Sequence, residues 1–370
     1  MDERVRKIGR HFEIGGEVLE TAPLGGGHIH ETLAATVLHG ADAGRYVFQR
    51  VNEDVFRDAE GLMHNLVRLT EHLRAKLRER AETDSRRCLS LVPALAGGYA
   101  VRDAEGALWR VFVFIEGAHP APVGGGRTAE AREAARAFGA FAADCADLST
   151  AELVETIPGF HDLAGRGAAL EQAVNTDPCG RVGTSESEIT LAREALEAVH
   201  TALRAGGAEA LPRRVVHNDC KLDNVMLDDA SGEGLCVIDL DTTMAGTLLC
   251  DFGAIARTGT CQAAEDERDL DRIIFDAGRF ASLASGYLEG IGDLVDAERD
   301  NLWLAGPLMT LEDAVRFLTD HLTGDTYYRI HREGHNLDRA RAQLRLFSRM
   351  WEARDLLRAS VDQASSLTGG

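Results

Sequence analysis

No stretch of this chain reaches the ~18 consecutive apolar residues of a membrane-crossing helix, so no membrane association is expected. The opening Met1-Asp2-Glu3-Arg4 is charged and no apolar segment follows it, which speaks against a secretory leader. A basic stripe is missing as well. The formal net charge is −20 at pH 7, and a general nucleic-acid binder would need the opposite sign. Acidity of this size describes a solvated surface or, alternatively, an acidic cleft that holds a cation. Paired cysteines are also absent. The seven Cys (88, 145, 179, 220, 236, 250 and 261) form no CxxC pair. A scattered, odd set reads as free thiols in a reducing cytoplasm, without zinc-ligand spacing.

What is present points to two lobes, because 370 residues exceed one ordinary core. The first hundred residues read as strands around one helix. Arg45 to Val51 is a β-rich run after the turn residues Gly40 to Gly44. Leu62, Leu66, Leu69, Leu73 and Leu77 recur at spacings of four and three, which makes one apolar helix stripe. Tyr99 to Val101 and Leu108 to Ile115 read as a hairpin turning at Asp103 to Gly106. Glu116-Gly117, the prolines at 120 and 122 and the glycines 124 to 126 then mark a boundary. The expected division is a strand-rich lobe, 1–117, and a mostly helical lobe, 118–370. Helices are expected over 128–147 and 186–205, the latter opened by a Ser185/Glu188 capping box and closed at Gly206-Gly207. The polar segment 175–187 reads as a loop. Further helices are marked by Ile273 to Tyr287 and by Leu344, Phe347 and Trp351. The segregation predicts an α+β fold with a cleft between lobes.

One β-like island interrupts the helical half. Val215-Val216-His217-Asn218-Asp219-Cys220-Lys221 runs on to Asn224 and Leu227; turn residues 228–234 follow, then Leu235-Cys236-Val237-Ile238-Asp239. Two short apolar strands joined by that turn make a hairpin, which sets Asn224 beside Asp239, with Asp219 on the loop before. The spacing H-x-D-x-x-x-x-N of His217, Asp219 and Asn224 is the catalytic-loop pattern of kinases. Phosphoryl transfer needs this set: a carboxylate to orient the hydroxyl nucleophile and take its proton (Asp219), hard oxygens for Mg2+ (Asn224 and Asp239), and a cation for the moving phosphoryl group (Lys221). The bland alternative makes these turn and cap residues. Asp251-Phe252-Gly253 spells a metal-binding triplet of protein kinases, but it lies well beyond the hairpin, so Asp251 is expected to be structural. A glycine-rich turn, Gly25-Gly26-Gly27-His28, offers backbone N–H groups to phosphates, or is an ordinary hairpin turn.

These residues resemble the aminoglycoside phosphotransferase and choline kinase superfamily, the small-molecule branch of the bilobal protein-kinase-like fold. The chain looks closest to the bacterial N-acetylhexosamine 1-kinases. That likeness runs through Gly27-His28-Ile29, Gln49 with Asn52, Trp109-Arg110-Val111 and Thr156 to Asp162. It continues through the catalytic loop, Ile238 to Thr242, Arg316-Phe317-Leu318, Gly324 to Tyr327 and His335-Asn336-Leu337. The resemblance implies ATP and Mg2+ as cofactors and a small-molecule acceptor, a sugar phosphorylated at its anomeric 1-OH. It makes Asp219 the base and Asn224 and Asp239 the metal ligands, and it lines the sugar site with His28, Asp219, Arg316 and Tyr327. It implies a nucleotide held by Gly25 to Gly27, by Gln49 in place of the usual strand lysine, and by the linker at Phe114 and Glu116. Read without the resemblance, Arg316 and Tyr327 are equally helix-surface and core residues. The partner of the small-lobe helix stays open between Glu60 and Glu71. A cytoplasmic monomer or homodimer is expected. Rival readings keep the fold with an aminoglycoside, choline, homoserine or another sugar as acceptor, or make the chain a nucleotide-binding pseudokinase or a metal-dependent hydrolase.

Overall fold

The computed structural model describes residues 2–25, 29–123 and 126–368. A short helix, α1 (Glu3–Gly9), capped by Asp2, leads into β1 (Glu17–Pro23), β2 (Glu31–His39) and β3 (Asp42–Arg50). Along β2 the buried residues are Leu33, Ala35 and Val37, the period-two signature of a sheet with one covered face. Helix α2 (Ala59–Glu79) follows, and its stripe of Leu62, Leu66 and Leu69 is fully buried, as the spacing predicts. Strands β4 (Ala100–Arg102) and β5 (Leu108–Val113) form the expected hairpin; Asp103 closes its turn by accepting from Ala107 N and Trp109 Nε1. The five strands make one antiparallel sheet in the order β1-β2-β3-β5-β4.

After Val113 the chain leaves this sheet. Strand β6 (Ala118–Pro120) pairs with β8 (Val225–Asp228), which pairs in turn with β9 (Gly234–Val237). Strand β7 (Arg214–Val216) pairs with β10 (Met244–Gly246). The remainder is helical: α3 (Thr128–Asp144), α4 (Leu163–Thr176), α5 (Glu186–Ala205), α6 (Leu248–Gly259), α7 (Ala277–Ile291), α8 (Asp296–Asn301), α9 (Ala305–Thr323), α10 (His335–Glu352) and α11 (Arg354–Thr368). The architecture is therefore the expected α+β, kinase-like one.

Two local expectations fail for identifiable reasons. The capping box at Ser185/Glu188 does not form. The Ser185 hydroxyl is buried and unpartnered, and Glu188 instead reaches Arg341 on α10 at 2.7 Å. A charge-assisted contact to another helix outcompetes the local cap. The helix expected from Ile273 starts four residues later, where Asp276 caps it by accepting from Arg279 N. Helix α9 has no counterpart among the sequence expectations because it is buried almost all round, Leu308, Leu311, Val315 and Leu318 included. A helix without a polar face shows no 3.6-residue period.

Three apolar clusters hold the molecule. One fills the helical lobe, one lies between the sheet and α1, and the third bridges the lobes. The bridging cluster joins Leu62, Leu66 and Leu69 of α2 and Phe112 of β5 to Phe141 of α3, Val215 of β7 and Leu240. Asn65 on α2 adds polar stitches across the same seam, exchanging hydrogen bonds with the backbone of Val154.

Candidate active site

Val215 and Val216 are buried, so the strand that delivers the catalytic loop is held by core packing. His217 follows, fully buried, with the rings of Phe138 and Phe141 edge-on at 5.3 and 5.7 Å. Its Nε2 donates to the Ile238 carbonyl at 2.9 Å, and its Nδ1 accepts from Asp219 N at 3.2 Å. One imidazole of fixed tautomer thus ties the loop to the end of β9. Asn218 then takes a left-handed backbone, φ 65°, which Asn tolerates better than most residues. Asp251, in the first turn of α6, accepts from the backbone N–H groups of His217 and Asn218 at 2.9 and 2.7 Å. Its carboxylate is spent on holding the loop, the structural placement expected for it.

The hairpin brings the remaining groups together. Ile238 N donates to Asn224 O at 2.9 Å, so Asp239 leaves the hairpin directly beside Asn224. Asn224 Nδ2 donates to the Asp219 carbonyl at 2.8 Å, and Lys221 Nζ meets Asp219 Oδ2 at 2.9 Å. Burial lowers the affinity of the Lys221 amine for its proton, but the carboxylates of Asp219 and Asp239 together outweigh it and the net shift is upward. Neither Asn224 Oδ1 nor the Asp239 carboxylate has a protein donor among the described residues. These are hard oxygens of the kind Mg2+ selects. No cluster of three or more His, Cys, Asp or Glu that would hold a metal occurs among the described residues. A cation held by one amide and one carboxylate must complete its shell from water and phosphate, the usual manner of Mg2+. Asp239 is exposed on the solvent-open side but has protein walls and two like charges around it. Partial desolvation, then Asp241 and Asp219, push its carboxyl up to about 6.

Arg316, on α9, and Tyr327, in the loop after that helix, also meet. The Arg316 guanidinium lies 5.6, 5.9 and 5.5 Å from the ring centres of Phe160, Tyr327 and Tyr328. His161, beside Phe160, connects this cluster to the catalytic loop: Nε2 donates to the Asn218 carbonyl at 2.8 Å and Nδ1 faces Glu312 at 3.0 Å. Burial alone would depress this imidazole, but two acceptors outweigh it and its pKa is raised. Asp313 joins Arg316 (3.3 Å) to Arg257 (3.0 Å). The loop that carries Tyr327 is closed by Asp320, which accepts from Thr326 N, Tyr327 N, Tyr328 N and Asn336 Nδ2, each at 2.9 Å.

Of the expected nucleotide contacts, Gly25 turns with φ 72° at the end of β1; Gly26, Gly27 and His28 lie outside the described residues. Glu116 is paired with Arg45, whose guanidinium also covers the Phe114 ring at 3.9 Å.

A family model described as the phosphotransferase enzyme family matches residues 22–285, a span that takes in β2 to β5 of the sheet, the catalytic loop and the metal-ligand candidates. The chain belongs to that family. Among solved structures, this phosphotransferase is similar to an aminoglycoside phosphotransferase from Alicyclobacillus acidocaldarius, at 12% identity over 97% of this chain and 95% of that one, with a TM-score of 0.55. It is similar also to a spectinomycin phosphotransferase solved with ADP and spectinomycin, at 11% identity over 98% and 99% of the two chains, TM-score 0.56. An ethanolamine kinase from Plasmodium vivax shares 12% identity over 88% and 82%, TM-score 0.51. At such identities these likenesses are of fold. The phosphotransferase departs from the protein-kinase pattern at Gln49, whose Oε1 accepts from Arg110 Nε at 2.8 Å while its Nδ-equivalent amide, Nε2, donates to Thr32. Arg110 and His30 were missed by sequence reasoning. Both reach Asp241, two residues past Asp239, from the small lobe. The available signal was a charged residue inside the otherwise apolar run Leu108 to Val113, since such a residue is buried only with a partner.

Proposed function

We propose that this small-molecule phosphotransferase transfers the γ-phosphoryl group of ATP, with Mg2+, to the anomeric 1-OH of an N-acetylhexosamine. The observation that carries the kinase half is the convergence of Asp219, Asn224 and Asp239 at one hairpin mouth, with Lys221 against Asp219. Asn224 and Asp239 would hold the metal, which when bound neutralises phosphate charge. Asp219 orients the acceptor hydroxyl and takes its proton. Lys221 would answer the charge that develops on the transferred group. Positioning and charge neutralisation supply most of the rate in this chemistry.

The sugar half rests on the resemblance around Arg316 to Tyr327 and on the character of the acceptor side. A cavity of about 360 Å³ opens beside Lys221, lined among others by Arg257, Glu265 and Gln343. The Gln343 Oε1 is buried and has no partner. Two guanidinium groups, Arg257 and Arg316, border this region through Asp313. The cavity lining carries both signs, Lys221 and Arg257 against Asp223 and Glu265, so its charge is balanced and the choice of a neutral sugar rests on the resemblance. The aromatic group of Phe160, Tyr327 and Tyr328 gives a sugar ring an apolar face to lie on.

The test is a coupled ADP-release screen of GlcNAc, GalNAc, kanamycin and choline, with the product checked by NMR for a C1 phosphate. Turnover with a hexosamine and a C1 phosphate is expected. Turnover only with kanamycin or choline would overturn the sugar reading and keep the kinase. ADP release with no acceptor dependence would point to a hydrolase. Asp219→Asn is expected to lower kcat by roughly 10²–10⁴-fold while ADP still binds.

A further inference from the structure

Beside the apolar seam, a fully buried ion pair joins the small and large lobes. Arg110 projects from β5 and grips Asp241 with both ends of its fork: Nη1 to Oδ1 at 2.6 Å and Nη2 to Oδ2 at 2.5 Å. The two side chains are 2% and 3% exposed. Gln49, cross-strand neighbour of Arg110 on β3, braces the guanidinium from behind through its Oε1. A third group arrives from the residue just before β2. His30 Nδ1 accepts from Asn52 N at 3.0 Å, so Nε2 carries the proton and donates to Asp241 Oδ2 at 2.7 Å. The imidazole is stacked on Phe56 and cannot swing away. Asp241 follows Asp239 by two residues, inside the helical turn Leu240–Thr242 that Asp239 opens with a left-handed backbone.

Beside the apolar packing of Leu240 against Phe112 of β5, Arg110 and His30 are the side chains that tie Asp241 to the small lobe by hydrogen bonds. We infer that Arg110 is a positioning residue for phosphoryl transfer: from β5 it fixes the Asp239 loop against the sheet, and through Asp241 it couples that loop to His30, in the segment that leads into β2. The strand position where a protein kinase keeps its lysine is given to Gln49, and the cation has moved to the neighbouring strand. Its charge is spent on Asp241 and its fork sets the loop's orientation. A lysine at 110 would supply the charge without the two-point grip. The inference rests on the reading of Asp239 as metal ligand, but its structural half stands without it.

The experiment compares Arg110→Lys with the double variant Arg110→Met/Asp241→Leu. An apolar pair of similar volume can replace a buried ion pair with little loss of stability, so the double variant separates holding the fold from placing the loop. In ligand-free protein, deuterium exchange over 238–243 and 29–32 is expected to rise in Arg110→Lys. Magnesium-ADP affinity, measured by calorimetry, and kcat are expected to fall about 10–100-fold in both variants, the range typical of lost support behind a metal ligand. The acceptor KM should change little, because the acceptor side lies beyond Asp219. Wild-type exchange in Arg110→Lys would overturn the inference, as would wild-type magnesium-ADP affinity in a folded double variant. If the double variant does not fold, Arg110→Lys alone decides. If the wild-type chain binds no magnesium-ADP, the kinase reading fails while the exchange result still judges the coupling of loop and sheet.

Discussion

At Asp239 three carboxylates crowd one hairpin mouth, and only one of them, Asp241, has its charge fully answered. Burial by itself would raise Asp241, but Arg110 and His30 hold it well below the usual carboxylate range. Asp239 has no such partner and is raised to about 6 by partial desolvation and by Asp241 and Asp219. Between the unfolded carboxyl value, about 4, and 6, the folded chain therefore holds a proton that the unfolded chain has released. Stability from this group falls as pH rises through that window, and the penalty is fully present above 6. The expected outcome is that magnesium-free Asp239→Asn melts above wild type at pH 7.5, and that the gap closes at pH 4.5. Scanning calorimetry at the two pH values checks this, and equal melting temperatures at pH 7.5 would remove the case for repulsion at this site.

At the scale of elements, α3 is the beam on which the catalytic loop rests, since Phe138 and Phe141 are the rings that flank His217. It packs on α7 at glycine-mediated contact. A Cβ on Gly139 would meet Tyr287 O at 2.2 Å and Ile291 N at 2.8 Å, and both are backbone atoms that cannot swing aside. Gly139→Ala is expected to cost about 1–3 kcal/mol, the range for overpacking a tight interior. Gly183→Ala, where a Cβ meets nothing within 4 Å, should cost far less. Denaturant unfolding of the pair measures the difference. Neither this crossing nor α9 was legible in the sequence. Ala-rich α3 announced a helix, but its partner is set by which backbones can approach, and that depends on glycines on two elements far apart in the chain. What the sequence did carry was the local pattern: the α2 stripe, the β4–β5 hairpin, and the fold-back that sets Asn224 beside Asp239. The pairing of Arg316 with Tyr327 entered only through the family likeness. Their meeting depends on Asp320 gathering a loop, and nothing in spacing signals that.

At the scale of the molecule, the lobes are joined on one side by an apolar seam and across the site by Arg110–Asp241. A nucleotide held by the glycine-rich turn and by the Asp239 loop would touch both lobes and bind the folded chain alone. Saturating magnesium-ADP at 100 times its Kd should then add about 2.7 kcal/mol to unfolding. EDTA should abolish most of the gain, and a nucleotide shift that ignores EDTA would argue against metal ligation by Asn224 and Asp239. Thermal shift with and without chelator is the measurement.

Asp320 has a consequence for redesign. One carboxylate gathers three consecutive amides and the Asn336 side chain, so residues 325–328 form a cassette with its own anchor. Grafting that segment into a scaffold of the same fold together with Asp320 and Asn336 should carry its shape along, whereas grafting it without them would deliver only its letters.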